Sequence, residues 1–187
     1  MARYGMALDY KNCINCKACE VACKEENGVQ LGADKHRIWV GVKEIEGLWP
    51  NLSISSSTFE PSQCQQCENA PCQEVCPTQA THYTKDGVVM VDADKCILCS
   101  YCMEACPYDA RYVKEDTMTV DKCTFCSDTR LLRGETTTAC QATCPTKVRT
   151  FGDLDDPNSE ISVLLSHREY RTLKSHLGTK PKLFYLI

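Results

Sequence analysis

The chain has 187 residues, 16 of them cysteine, with 21 Lys and Arg against 25 Asp and Glu and a formal net charge of −4. That balance leaves no clustered positive footprint for nucleic acid, and no run approaches the roughly 18 apolar residues that a membrane helix needs. With 4 Phe and 2 Trp the conventional core is thin, so whatever the cysteines hold must supply much of the folding energy.

In chain order, YGMALDYKNC predicts a short apolar strand, then Asp9, then the first cysteine group: Cys13, Cys16, Cys19 and Cys23. Residues 1–13 hold no apolar h-region and no small-residue cleavage site, so no secretory leader is expected in them. Within the cysteine-free stretch that follows, RIWVGVKEI (37–45) alternates and LSISSSTF (52–59) does so more weakly. They predict an inserted β-hairpin with Gly47 and Pro50 in its turn, and Trp39 and Trp49 are read as packed indoles. The second group is Cys64, Cys67, Cys72 and Cys76; the third, after the strand-like VVMVDADKC, is Cys96, Cys99, Cys102 and Cys106. MTVDKC leads into the fourth, Cys123, Cys126, Cys140 and Cys144. A strand and a Gly/Asp/Pro turn segment come next. A helix is predicted over 160–177, capped by Ser159, striped by Ile161, Leu164, Leu165, Leu173 and Leu177, and ended by Gly178 and Pro181. The apolar PKLFYLI is expected to dock on the body or on a partner.

Cysteines two residues apart in triplets are too close to bridge one another, which excludes a disulfide framework. A zinc site uses two C-x2-C pairs and has no need of a third cysteine in the same run, nor of the prolines after Cys76, Cys106 and Cys144. Groups one and three instead carry the C-x2-C-x2-C-x3-C spacing of two-cluster bacterial ferredoxins. Three cysteines wrap one iron–sulfur cube, and the fourth, a helical turn on, points to a neighbouring cube. Groups therefore work in pairs, and sixteen cysteines fill four [4Fe-4S] clusters with none left over. For groups two and three the exchanged fourth ligand follows from the spacing alone. The segments CPTQATHY, CPYDARYV and CPTKVRTF repeat after groups two, three and four, which marks internal duplication; group one departs from it at Lys24.

Around the cysteines, Lys17, Lys24, Lys95, Lys122, Lys147 and Arg149 are read as solvated. Asp92, Asp94, Asp109 and Asp121 are read as turn caps, and small Ala18, Ala70, Ser100 and Ala105 as giving amides access to sulfur. His36, His82, His167 and His176 have no metal-ligand spacing, and no nucleophile or general base is assigned.

The quoted motifs, with QCQQCENAPCQEVCP, KCILCSYCMEACP, TFGDLDDPNS and KPKLFYL, resemble the four-cluster iron–sulfur subunit of the dimethyl-sulfoxide reductase superfamily of molybdopterin oxidoreductases. The likeness is greatest to the B subunit of polysulfide and thiosulfate reductases and covers essentially the whole chain. It implies an α+β fold: two ferredoxin-like lobes, each binding two [4Fe-4S] clusters, with an inserted β-hairpin and a C-terminal helical extension. Groups one and four would build one lobe (1–36 and 107–157) and groups two and three the other (64–106), with the hairpin at 37–63 and the tail at 158–187. The resemblance further implies ligand sets Cys13, Cys16, Cys19, Cys144; Cys23, Cys123, Cys126, Cys140; Cys64, Cys67, Cys72, Cys106; and Cys76, Cys96, Cys99, Cys102. Its partners would be a molybdopterin-containing catalytic subunit, facing the cluster on Cys13, and an integral membrane quinol-interacting subunit at the far end. The chain would then sit peripherally on the cytoplasmic membrane, on the periplasmic side by co-export with its partner or, as the alternative, on the cytoplasmic side.

Overall fold

The computed structural model describes residues 2–32, 34–47 and 54–187, with the backbone alone at 43–47 and 54–57. Strand β1 (Tyr4–Leu8) runs through a 3-10 turn at Tyr10–Asn12 into the first cysteine loop and α1 (Ala18–Asn27). Then come β2 (Ile38–Gly47), β3 (Ile54–Gln63), α2 (Pro71–Glu74), β4 (Thr81–Tyr83), β5 (Val89–Val91), α3 (Tyr101–Glu104), β6 (Tyr112–Lys114) and β7 (Thr119–Asp121). The chain ends with α4 (Ala139–Ala142), β8 (Arg149–Asp153), α5 (Glu160–His167), β9 (Tyr170–Arg171) and β10 (Leu183–Leu186).

A mixed four-stranded sheet, ordered β8-β1-β10-β9, ties the two ends of the chain together. β1 pairs antiparallel with β8, Leu8 opposite Arg149, and parallel with β10, Ala7 opposite Phe184. Because side chains alternate along a strand, Met6, Leu8, Leu183 and Tyr185 face the cysteine-rich core, while Ala7 and Leu186 face Ile161 of α5. Gly5 and Gly152, opposite each other in the register, make that helix packing possible. A Cβ on Gly152 would lie 3.0 Å from Ile161 Cγ2, and one on Gly5 only 2.8 Å from Leu154 Cδ1.

The inserted hairpin is present and longer than expected: β2 and β3 pair from Ile38 opposite Gln63 to Gly47 opposite Ile54. Its turn, with Trp49, Pro50 and Leu52, lies outside the described residues. Trp39 packs against the core, 5.3 Å from the His36 ring. Two short hairpins, β4–β5 and β6–β7, complete the strands.

The predicted helix over 160–177 is wrong beyond His167. Ser159 does cap α5, accepting from the Ser162 N–H at 3.2 Å. Arg168 is extended (φ −123), and the chain turns back so that Arg171 and Tyr170 pair with Tyr185 and Leu186. Leu173 joins the core from a loop, and a separate 3-10 turn at Ser175–Leu177 ends at Gly178 in the left-handed region. Sheet pairing by the tail outweighs continuation of an amphipathic stripe. The PKLFYLI segment docks on this chain's own body, where the Tyr185 hydroxyl bonds Ser62 Oγ at 3.2 Å.

Candidate metal centres

The four cysteine groups share one backbone device. In each, the residue before the second cysteine is left-handed: Asn15 (φ 56), Gln66 (φ 48), Leu98 (φ 53) and Phe125 (φ 55). That conformation costs an L-residue about 1–2 kcal/mol, and here it bends the C-x2-C segment so that both thiols face one space. Lys17 (φ 60) and Ser100 (φ 64) repeat the bend just before α1 and α3. A third set, Gln79, Asp109 and Lys147 (φ 56, 51 and 52), falls three residues after the last cysteine of groups two, three and four. Group one has no such turn. Where the others end a four-residue helix, α1 runs ten residues to Asn27, which is the structural counterpart of the departure at Lys24.

The thiols converge in fours. One cavity is lined by Cys13, Cys16, Cys19 and Cys144, and a second by Cys23, Cys123, Cys126 and Cys140. A third is lined by Cys64, Cys67, Cys72 and Cys106, and a fourth by Cys76, Cys96, Cys99 and Cys102. Every cysteine lines one cavity, and the last cysteine of each group lines its neighbour's. Among the described residues, no three Cys, His, Asp or Glu side chains are arranged to hold a single metal ion. The first cavity neighbours the second, where Cys19 is near Cys140, and the second neighbours the third, where Cys123 is near Cys64. A further space between β5 and β7 is lined by no cysteine, and the Arg37 and Asp121 that line it are paired with each other at 2.9 Å.

Sequence comparison agrees with this geometry. Two family patterns, each described as a 4Fe-4S dicluster domain, match residues 55–154 and 12–80. The B subunit of polysulfide reductase from Wolinella succinogenes is 46% identical over 183 residues, covering 97% of this chain and 93% of that one. Protein NrfC of Escherichia coli is 45% identical over 183 residues, covering 97% and 79%. The thiosulfate reductase electron transfer subunit PhsB of Salmonella typhi is 41% identical over 177 residues, covering 94% and 88%. This chain belongs to the 4Fe-4S dicluster family of reductase iron–sulfur subunits.

As an iron–sulfur subunit it must keep thiolates in a dry interior, and burial opposes that. Burial pushes Cys67 up to about 12 and fully buried Cys123 well above the ordinary thiol value. Cys19, Cys23, Cys72, Cys102 and Cys126 move the same way, each chiefly through desolvation. Cys76 moves down: its modest desolvation is outweighed by hydrogen bonds from the Thr81 N–H at 3.4 Å and from Thr78. The Val148 N–H reaches Cys144 Sγ at 3.3 Å, and Phe125 N–H reaches Cys123 Sγ at 3.5 Å. These donors come from the turns after Cys76-Pro77 and Cys144-Pro145 and from a left-handed loop residue, not from the small residues singled out in the sequence.

Two flanking cations read as solvated are buried. Lys122 donates to the carbonyls of Val89 and Cys123, and Arg149 donates to Gln63 Oε1. Gln63 in turn donates to Cys123 Sγ at 3.6 Å. Arg111, buried against the third cavity, escapes a reading of the sequence alone. A signal for it exists, since Arg111 and Arg149 stand five residues after the last cysteines of groups three and four. Asp121 is no turn cap but the partner of Arg37. Asp92 does close a turn, accepting from the Asp94 N–H at 3.1 Å.

The donor set fits iron–sulfur cubes. Sixteen soft sulfur ligands surround four similar spaces, and the buried guanidiniums of Arg111 and Arg149 each leave one nitrogen, Nη2, without an acceptor. Sulfide and thiolate are the acceptors such nitrogens lack.

Proposed function

We propose that this electron-transfer subunit holds four [4Fe-4S] clusters in a row, one in each four-thiol cavity, and passes single electrons from end to end. The observation that carries the reading is the exchange of fourth cysteines: each cavity takes three thiols from one group and one from another. In the order of the row, the ligands are Cys13, Cys16, Cys19, Cys144; Cys23, Cys123, Cys126, Cys140; Cys64, Cys67, Cys72, Cys106; and Cys76, Cys96, Cys99, Cys102. When bound, such clusters supply one-electron carriers that change charge with little rearrangement. The chain's own residues fix their separation, exclude water, and donate N–H groups to sulfur; none supplies a catalytic acid, base or nucleophile.

The two ends of the row differ from its middle in a way that suits a relay. After the first cysteine, groups one and three place Ile14 and Ile97, 58% and 64% exposed, over the terminal cavities. The corresponding Gln65 and Thr124 of groups two and four are 1% and 5% exposed. Apolar caps at both ends favour docking of one partner at each. By analogy with the reductase subunits it resembles, we assign a molybdopterin-containing catalytic subunit to the Cys13 end and an integral membrane quinol-oxidising subunit to the Cys99 end. The complex would be a polysulfide/thiosulfate-type reductase on the periplasmic face of the cytoplasmic membrane. No helix among the described residues is long and apolar enough to cross a membrane, so attachment would run through the membrane subunit. The lobes would comprise 1–36 with 122–157, and 64–121, joined by the hairpin at 37–63 and tied by the tail at 158–187; residues 107–121, assigned by sequence to the first lobe, go with the second because Pro107, Tyr108, Arg111 and Val120 line its cavities.

Anaerobically purified chain is expected to contain about 16 iron and about 16 acid-labile sulfide. Zinc without sulfide would overturn the reading. Cys140→Ser is expected to alter the EPR spectrum of the second cluster in the row; a change confined to the first would refute the ligand exchange.

A further inference from the structure

The two buried arginines are related by the internal duplication, and each occupies the gap between the two cavities of its lobe. Arg149, 2% exposed, opens β8 at five residues past Cys144; Arg111, 7% exposed, lies just before β6 at five residues past Cys106. Arg149 lines the first cavity and reaches toward the second through Gln63, whose amide donates to Cys123 Sγ. Arg111 lines the third cavity and lies beside Cys72 of the third and Cys102 of the fourth. Each spends Nη1 on a neutral acceptor, Gln63 Oε1 for Arg149 and Thr81 Oγ1 at 3.3 Å for Arg111, and each leaves Nη2 orphaned.

Among the described residues neither pairs with a carboxylate, in contrast to buried Arg37, which has Asp121. A buried guanidinium without a counter-anion is strongly destabilising. The counter-charge would come from the cysteines as cluster ligands: Arg149 lines the cavity of Cys13, Cys16, Cys19 and Cys144, and Arg111 that of Cys64, Cys67, Cys72 and Cys106.

We infer that Arg149 and Arg111 are equivalent redox-positioning residues, each donating its free N–H to sulfur and holding a fixed positive charge between the two clusters of its lobe. This rests on the four-cluster reading. An oxidised cube with four thiolates carries a net charge of about −2, and each added electron makes it more negative. A cation in the gap therefore favours reduction of both neighbours and weakens their mutual repulsion in a medium where charges are poorly screened.

The test is an EPR-monitored redox titration of the full-length holoprotein, anaerobically isolated, with iron and sulfide measured on every sample. The unaltered chain must first give four clusters; if it does not, the four-cluster reading fails and this inference with it. Given four, Arg149→Gln is expected to lower the reduction equilibrium constant of the first and second clusters at least tenfold, about 59 mV for a one-electron couple. The third and fourth should shift much less. Arg111→Gln is expected to do the reverse, and Arg149→Lys and Arg111→Lys, which keep the charge, to restore most of each shift. Four unchanged potentials in the Gln variants would overturn the inference. So would equal shifts in all four clusters, or loss of iron from the Gln and Lys variants alike, which would mark the arginines as purely structural.

Discussion

Gln66 shows how a single side chain holds two cysteine loops in register. Its amide nitrogen donates to the Cys123 carbonyl at 2.7 Å, and its oxygen accepts from the Val89 N–H at 2.7 Å. Gln66→Leu would keep the volume and leave the Val89 donor buried without a partner. It is expected to destabilise the holoprotein by about 2–3 kcal/mol, read from denaturant unfolding followed by cluster absorbance. The left-handed positions give a second check. Lys147 is exposed at φ 52, so Lys147→Gly should be neutral or stabilising, whereas Lys147→Val should cost about 1–2 kcal/mol. Equal effects from the two would show that the turn stores no strain. At this scale the cysteines were legible because metal ligation dictates their spacing. The buried cations were not, because nothing in a local stretch such as KVRTF says whether its arginine faces water or sulfur; only the tertiary fold places Gln63 beside it.

The elements divide between those that periodicity predicts and those that pairing imposes. β1, the hairpin and the start of α5 could be read from alternation and a capping serine. The end of α5 could not, because the competing structure is an antiparallel pairing with residues 185 and 186 that no local pattern reveals. The sheet places Ile161, fully buried, over Gly152. Ile161→Ala should therefore cost about 2–5 kcal/mol, measured as a shift in the unfolding midpoint. Tyr185→Ala should cost about 3–5 kcal/mol by opening the centre of the same sheet, and a mild effect would mean that β10 is dispensable.

For the molecule as a whole, eight of the buried apolar-class side chains among the described residues are cysteines. Half of the other twenty-two are alanine or valine, so much of the interior is organised around what the thiols bind. Anaerobic removal of iron with a strong chelator is expected to abolish far-UV circular dichroism cooperatively, and zinc should not restore it. Retention of the native spectrum in iron-free protein would show that the polypeptide core suffices. The internal duplication was legible from the repeats, whereas the pairing of groups one and four was implied only by the family resemblance. The role of the C-terminal strand as partner to β1 was not, since that pairing spans nearly the whole chain.

That pairing sets an order in time. The eight thiols of the third and fourth cavities lie between residues 64 and 106, whereas those of the first and second span 13 to 144, and β1 meets its neighbour β10 only when residue 186 exists. A nascent chain leaving the ribosome can thus complete its inner half before its outer half has all its parts. Chains stalled during translation once residue 121 has cleared the ribosome, but before residue 140 has, should carry close to half the iron of the released product.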